Sequence, residues 1–226
     1  MELPRPSVPA MKRGWEVHKI IETFFNDLHK NKITPAIITP DIMRRTMKIA
    51  AGPKYEEHKI PLTNLVDYEI IRYSRPNYTL PLLTEVTIET RTLKGIIDRV
   101  DYNLEDKVYE VYDYKTGNAK SIKPHIFELA LYAHMFKEAF IGKFSLIDQK
   151  YYGDSPISIG IIGVDERKVF KIKLNEHHIK EALAKVEVIR KKIDDEEFEK
   201  NPEAKCYWCP YRGVCQKLEA SANANR

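Results

Sequence analysis

The chain has 226 residues, of which 43% are hydrophobic and 31% charged, with 9 Gly and 13 Pro; this is the make-up of an ordinary folded protein and excludes extended disorder or a fibrous repeat. At roughly 150 residues per domain the length fits one large domain, or one domain with an appendage. The formal net charge of +4 permits a polyanionic partner without demanding one, and no apolar run approaches the roughly 18 residues that cross a bilayer. The start, Met1 to Ala10, is polar and Pro-rich with no signal-peptide core, so the expected location is the cytoplasm, with no membrane partner.

From Met11 to Lys30, the residues Val17, Ile20, Ile21, Phe24 and Leu28 recur at three- and four-residue spacing and predict an amphipathic helix, with His18 beside its apolar face. Thr39-Pro40 opens and Gly52-Pro53 closes a second helix over Asp41 to Ala50. A third follows Pro61 and uses Leu62, Leu65, Val66 and Ile70. From Leu80 the period falls to two. Three runs rich in β-branched and aromatic residues, Leu82 to Thr92, Lys94 to Tyr102 and Val108 to Thr116, predict consecutive strands. Asn103 to Asp106 is short enough to make the last two an antiparallel hairpin. A helix from Pro124 to about Phe140, strands Ile157 to Val164 and Lys168 to Leu174, and a long helix from about Asn175 to Glu199 complete the pattern, with a frayed end at Ser221 to Arg226. The class is mixed α/β, with one central sheet flanked by helices.

The hairpin carries the chemistry. Strict alternation puts Ile96, Asp98 and Val100 on one face of its first strand and Val111, Asp113 and Lys115 on one face of its second. With the turn centred between Glu105 and Asp106, Asp98 and Asp113 stand opposite each other, their Cβ atoms roughly 4.5 to 5.5 Å apart. Two carboxylates this close repel each other. A shared proton, a cation such as Lys115 or a bound metal relieves the repulsion. Oxygen ligands suit a hard ion, Mg²⁺ or Mn²⁺, able to hold a water for attack on a phosphodiester, with Lys115 orienting or deprotonating that water. A solvated carboxylate pair with a salt bridge is the plain alternative. Near the C-terminus, Cys206, Cys209 and Cys215 fall within ten residues of one another; an odd, clustered set is a poor disulfide framework and reads as a metal clip for an iron–sulfur cluster or zinc. Tyr207, Trp208 and Tyr211 interleave with it and either stack on unpaired bases or cover the clip.

Gly95-Ile96-Ile97-Asp98 followed by Asp113-Tyr114-Lys115-Thr116-Gly117 resembles the hairpin signature of the PD-(D/E)XK nuclease superfamily, in particular its RecB-like branch. Arg13-Gly14-Trp15-Glu16-Val17-His18 looks like the branch's helix-borne histidine motif, and Glu85 stands where an acidic strand residue often precedes the hairpin signature. Glu128-Leu129-Ala130-Leu131-Tyr132 is similar to its QxxxY helix motif, and the cysteine segment looks like the end of the iron–sulfur members, CRISPR-associated and AddB-type. The resemblance implies a restriction-endonuclease-like core, with a nuclease domain over residues 1–200 (helical part about 11–75, sheet core about 80–175) and a cysteine segment over 201–226. It implies a catalytic set of Asp98, Asp113, Lys115 and Glu85, and metal ligation by His18, Asp98, Asp113 and the backbone carbonyl of Tyr114. Glu128 and Tyr132 are then DNA contacts or supports behind the metal.

Two features depart from the family. Glu128 replaces Gln, and an ionised Glu only accepts hydrogen bonds, which points it toward Lys115 or the metal rather than a phosphate. No cysteine precedes Gly14, although the iron–sulfur members carry one there. The fourth ligand then lies in a longer N-terminus, in another residue or in a small molecule, or the clip holds a three-iron cluster, zinc or nothing. The implied activity is metal-dependent DNA cleavage, as an exonuclease on single-stranded ends, in CRISPR adaptation or recombination and repair, with CRISPR or helicase partners. The rivals are a non-catalytic DNA-binding or assembly subunit that keeps the fold, and a hydrolase of small phosphate esters.

Overall fold

Five strands form one sheet in the order β1 (Leu83–Glu89), β2 (Lys94–Asn103), β3 (Val108–Lys115), β4 (Ile157–Gly163) and β5 (Lys168–Lys173) in the computed structural model, which describes residues 9–34, 37–75, 78–140, 155–197 and 212–213. Neighbours run antiparallel except β3 and β4, which are parallel. A parallel pair needs a crossover, and α4 (Ile126–Phe140) supplies it. Three helices, α1 (Pro9–Lys30), α2 (Pro40–Ala51) and α3 (Lys59–Tyr73), build one core against Tyr112, Tyr114 and Ile162. On the opposite face α4, backed by α5 (Glu176–Asp194), packs on Val100, Val111, Ile159 and Ile161. Gly160 of β4 lies beside Tyr112, and a Cβ there would fall 2.5 Å from the Tyr112 ring, so only glycine lets that ring lie flat on the sheet.

Local chemistry accounts for the ends of these elements. The Thr39 side chain accepts the Ile42 N–H at 3.2 Å, Pro40 opens α2, and Gly52, at φ +52°, closes it in a conformation that costs other residues more. Strand β1 stops at Glu89, short of the expected Thr92, because Thr90 and Leu93 close a tight turn: Thr90 N–H donates to the Leu93 carbonyl at 2.8 Å and Leu93 N–H to Thr90 Oγ1 at 3.0 Å. The last helix ends at Asp194 rather than near Glu199, since Glu196 adopts φ +56° and turns the chain out.

The β2–β3 register pairs Arg99 with Tyr112 and Asn103 with Val108, so one step further Asp98 stands opposite Asp113, as the turn position predicts. The β1–β2 register pairs Thr84 with Arg99 and Val86 with Ile97, which sets Glu85 opposite Asp98. Glu85, Asp98 and Asp113 thus form a row across three adjacent strands. Alternation on β2 is not strict, and this corrects the expected face sharing. A Cβ on Gly95 would meet Tyr132 of α4, and Ile97 joins Val100 in the α4-side core, while Ile96 is half-exposed. Arg99 points to the other face. The pleat therefore slips between Ile97 and Asp98, directly across from Glu85, whose backbone adopts a left-handed φ of +48°.

No helix among the described residues is long and apolar enough to cross a membrane. Cys206, Cys209 and Cys215 lie outside the described residues, as does the rest of the 201–226 segment apart from Arg212 and Gly213.

Candidate active site

His18 projects from α1 onto the row of carboxylates. Its Nδ1 lies 3.0 Å from Glu85 Oε1 and 3.6 Å from Asp98 Oδ2, and its Nε2 lies 3.0 Å from the backbone carbonyl of Tyr114. Both ring nitrogens face acceptors, so both carry protons and the ring is an imidazolium. Burial alone would lower the His18 pKa, but Asp98 and Glu85 outweigh it and push it up to about 10. The Tyr114 peptide is engaged at both ends: its N–H donates to Asp98 Oδ2 at 2.7 Å while its carbonyl meets His18.

On the other side of Asp98, Lys115 Nζ lies 2.7 Å from Asp113 Oδ2 and 3.7 Å from Glu128 Oε2. Burial and the neighbouring Asp98 carboxylate push Asp113 up to about 7, against the pull of Lys115. Lys115 is raised as well, because Asp113 and Glu128 overcome its own burial, so it remains an ammonium at neutral pH. Glu128 has the pairing with Lys115 that its acceptor-only chemistry favours, and it also accepts the Tyr132 hydroxyl at 3.1 Å. Gly95 explains how α4 comes so close, since a Cβ there would stand 3.2 Å from the Tyr132 ring. A groove of about 390 Å³ runs from Glu128 between the start of β2 and α4, past Phe127, Leu131 and Tyr132.

The donor set suits a hard divalent cation. His18, Glu85 and Asp98 offer ligand atoms within 4.8 Å of one another, and the Tyr114 carbonyl adds a backbone oxygen. Asp113 Oδ2 is buried and accepts no hydrogen bond of good geometry, although Lys115 balances its charge, which leaves it a free lone pair for a cation. His18, Asp98, Asp113 and Tyr114 could hold such an ion, with Glu85 keeping Nδ1–H of His18 and so fixing its tautomer.

Two supports have no local signature in the sequence. Arg13 grips Asp165 through two nitrogens, at 2.9 and 2.5 Å, and Asp165 also accepts the Gly117 N–H at 2.5 Å. This clamp pins the first turns of α1 to the end of β3, so that His18 and Lys115 meet. Glu16, buried two residues before His18, pairs with Lys54 and lies 3.1 Å from His58 Nε2, which holds α1 against the α2–α3 junction. Arg13 and Glu16 sit inside the histidine motif, but their partners lie far along the chain.

The sequence model of the PD-(D/E)XK nuclease superfamily matches residues 2–216. No curated protein matches the chain. Among solved structures it is similar to a protein from Eubacterium rectale described as a candidate exonuclease, at 15% identity and a TM-score of 0.42 over 90% of this chain and 75% of that one. It is also similar to the protein SSO0001, at 16% identity and a TM-score of 0.35 over 90% and 84% of the two chains. The family match runs through the histidine motif, the carboxylate hairpin and the α4 motif, and on it the chain belongs to the PD-(D/E)XK nuclease superfamily.

Proposed function

We propose that the protein is a Mg²⁺- or Mn²⁺-dependent deoxyribonuclease of the RecB-like branch, hydrolysing phosphodiester bonds as an exonuclease on single-stranded DNA or single-stranded ends. One observation carries this reading: Glu85, Asp98 and Asp113 stand in a row across three strands, with His18 at one end and Lys115 at the other. His18, Asp98, Asp113 and the Tyr114 carbonyl hold the cation in this reading. When bound, the divalent ion supplies positive charge for the phosphate oxygens and acidifies a water. Lys115, held as an ammonium by Asp113 and Glu128, serves as a donor that orients the water and stabilises charge on the phosphate rather than as a base. A role in CRISPR adaptation or in recombination and repair, beside helicase partners, and a cluster or zinc on the three cysteines rest on the resemblance alone.

The test is release of nucleotides from single-stranded DNA. Wild-type protein is expected to cleave with Mn²⁺ and not with EDTA, and Lys115→Ala to lose at least about 100-fold in rate while still binding Mn²⁺. Binding of metal and DNA without cleavage by the wild type would mark a non-catalytic subunit. Turnover of a nucleotide without competition by DNA would mark a small-ester hydrolase.

The clamp gives a second expectation. Asp165→Ala should lower cleavage by roughly 10- to 100-fold through misplacement of His18 against Lys115. Its melting temperature should change by only a few degrees, because the ion pair is partly exposed. A large loss of stability with an unchanged rate per folded molecule would show that the clamp serves the fold alone.

A further inference from the structure

Trp15 is 68% exposed and Met11 69%, on the same helix that carries His18. Met11, Trp15, His18 and Glu22 follow one another at steps of four, three and four residues, which is a single line along the helix surface. Trp15 therefore stands one turn from His18, roughly 4.5 Å along the axis. One residue before Trp15, a Cβ on Gly14 would lie 3.3 Å from Thr116 Oγ1, the residue after Lys115, so this turn of α1 lies beside the end of β3. Exposed Lys12 and Lys19 lie together along one side of the line, Lys19 paired with Glu22 at 2.5 Å. Among the described residues no ring or cation packs on the indole, so its face is open to a partner.

We infer that Trp15 is the stacking platform for an unpaired base of the substrate strand. This rests on the nuclease reading of the adjoining site. A strand whose phosphate lies at Lys115 and Asp113 brings its neighbouring nucleotides within reach of the next turn of α1, where the exposed Lys12 complements their phosphates. In a duplex both faces of every internal base are already stacked, so an indole at this place gains contact only with an unpaired or terminal base. The inference names a selectivity residue for single-stranded DNA and predicts that the sequence of that DNA matters little, since every base has a π-face.

The experiment measures the affinity of a fluorescent single-stranded oligonucleotide by anisotropy without catalytic metal, for wild type, Trp15→Ala and Trp15→Phe, each checked for an unchanged melting curve. Trp15→Ala should bind about 10-fold more weakly and Trp15→Phe within about threefold of wild type. A strand with an abasic site moved stepwise along it should, at one position, bind wild type as weakly as Trp15→Ala binds the intact strand, and Trp15→Ala should be indifferent to that lesion. Equal affinities of wild type and Trp15→Ala, or additive losses from the substitution and the lesion, would overturn the inference. The expected binding pattern in a protein that cleaves nothing with Mn²⁺ would instead overturn the nuclease reading and leave Trp15 its role.

Discussion

Asp98→Ala and Asp113→Ala are each expected to lower DNA cleavage at least about 100-fold in a protein that still folds. Each removes one of two like charges that face each other across the hairpin, but Asp98→Ala also strands the buried Tyr114 N–H and the His18 imidazolium while Asp113→Ala strands only the half-buried Lys115, so Asp98→Ala should melt earlier than Asp113→Ala, and both should lose the rise in melting temperature that Mn²⁺ brings. Proton counting sharpens the test. His18 is pushed up to about 10 and Asp113 to about 7, so near pH 7 the first holds its proton and the second is about half protonated. A cation needs both groups deprotonated. Binding should therefore release about one proton from His18 and part of another from Asp113, and affinity should climb about tenfold or more per pH unit between pH 6 and 8. Calorimetry in buffers of different ionisation enthalpy counts these protons. Zero release would remove His18 from the ligand set, and near wild-type cleavage by either aspartate variant would sink the site.

The second large effect is one of stability. Behind the site, Arg99 Nη1 donates to Glu69 Oε1 at 2.6 Å and its Nε meets both oxygens of Asp101, at 2.9 and 3.0 Å. Arg72 completes the set, 2.9 Å from Glu69 and 3.3 Å from Asp101. Two cations and two anions cancel where Glu69, Arg99 and Asp101 are fully buried. Burial alone would raise the Glu69 carboxyl, yet Arg99 and Arg72 hold it below the usual range. Glu69→Ala leaves one positive charge uncompensated in the core and is expected to cost about 3–5 kcal/mol, or roughly 10 °C in melting temperature. Arg99 also reaches the Tyr114 hydroxyl at 3.3 Å, so the loss should loosen the strand that carries the Tyr114 carbonyl. A shift under about 2 °C would mean that water or a rearranged Arg72 replaces the missing carboxylate.

The parts of this molecule set by local rules are legible in its residues. Apolar spacing marks α1, Thr39-Pro40 and Gly52 bound α2, and the placement of a short polar turn fixes the register that brings Asp98 to Asp113. What escapes is set by distant pairing. Nothing local in the sequence marks Arg99 for full burial, because its partners come from α3 and from two positions further along β2. Glu85 is found by resemblance, but its stance opposite Asp98 depends on the β1 register and on a backbone conformation that glutamate rarely adopts. The slip of the pleat beside it breaks the strict alternation from which the shared face of Ile96 and Asp98 was argued.

The Arg13–Asp165 clamp joins positions 152 residues apart. A chain emerging from the ribosome with its N-terminus first exposes Arg13 and His18 early, but neither can be locked in place until β3, α4 and β4 have followed and Asp165 has cleared the exit tunnel. Closure of the clamp thus waits on translation of its second half. A product stopped before Asp165 would carry His18 and the row of carboxylates without the clamp that holds α1 to the end of β3.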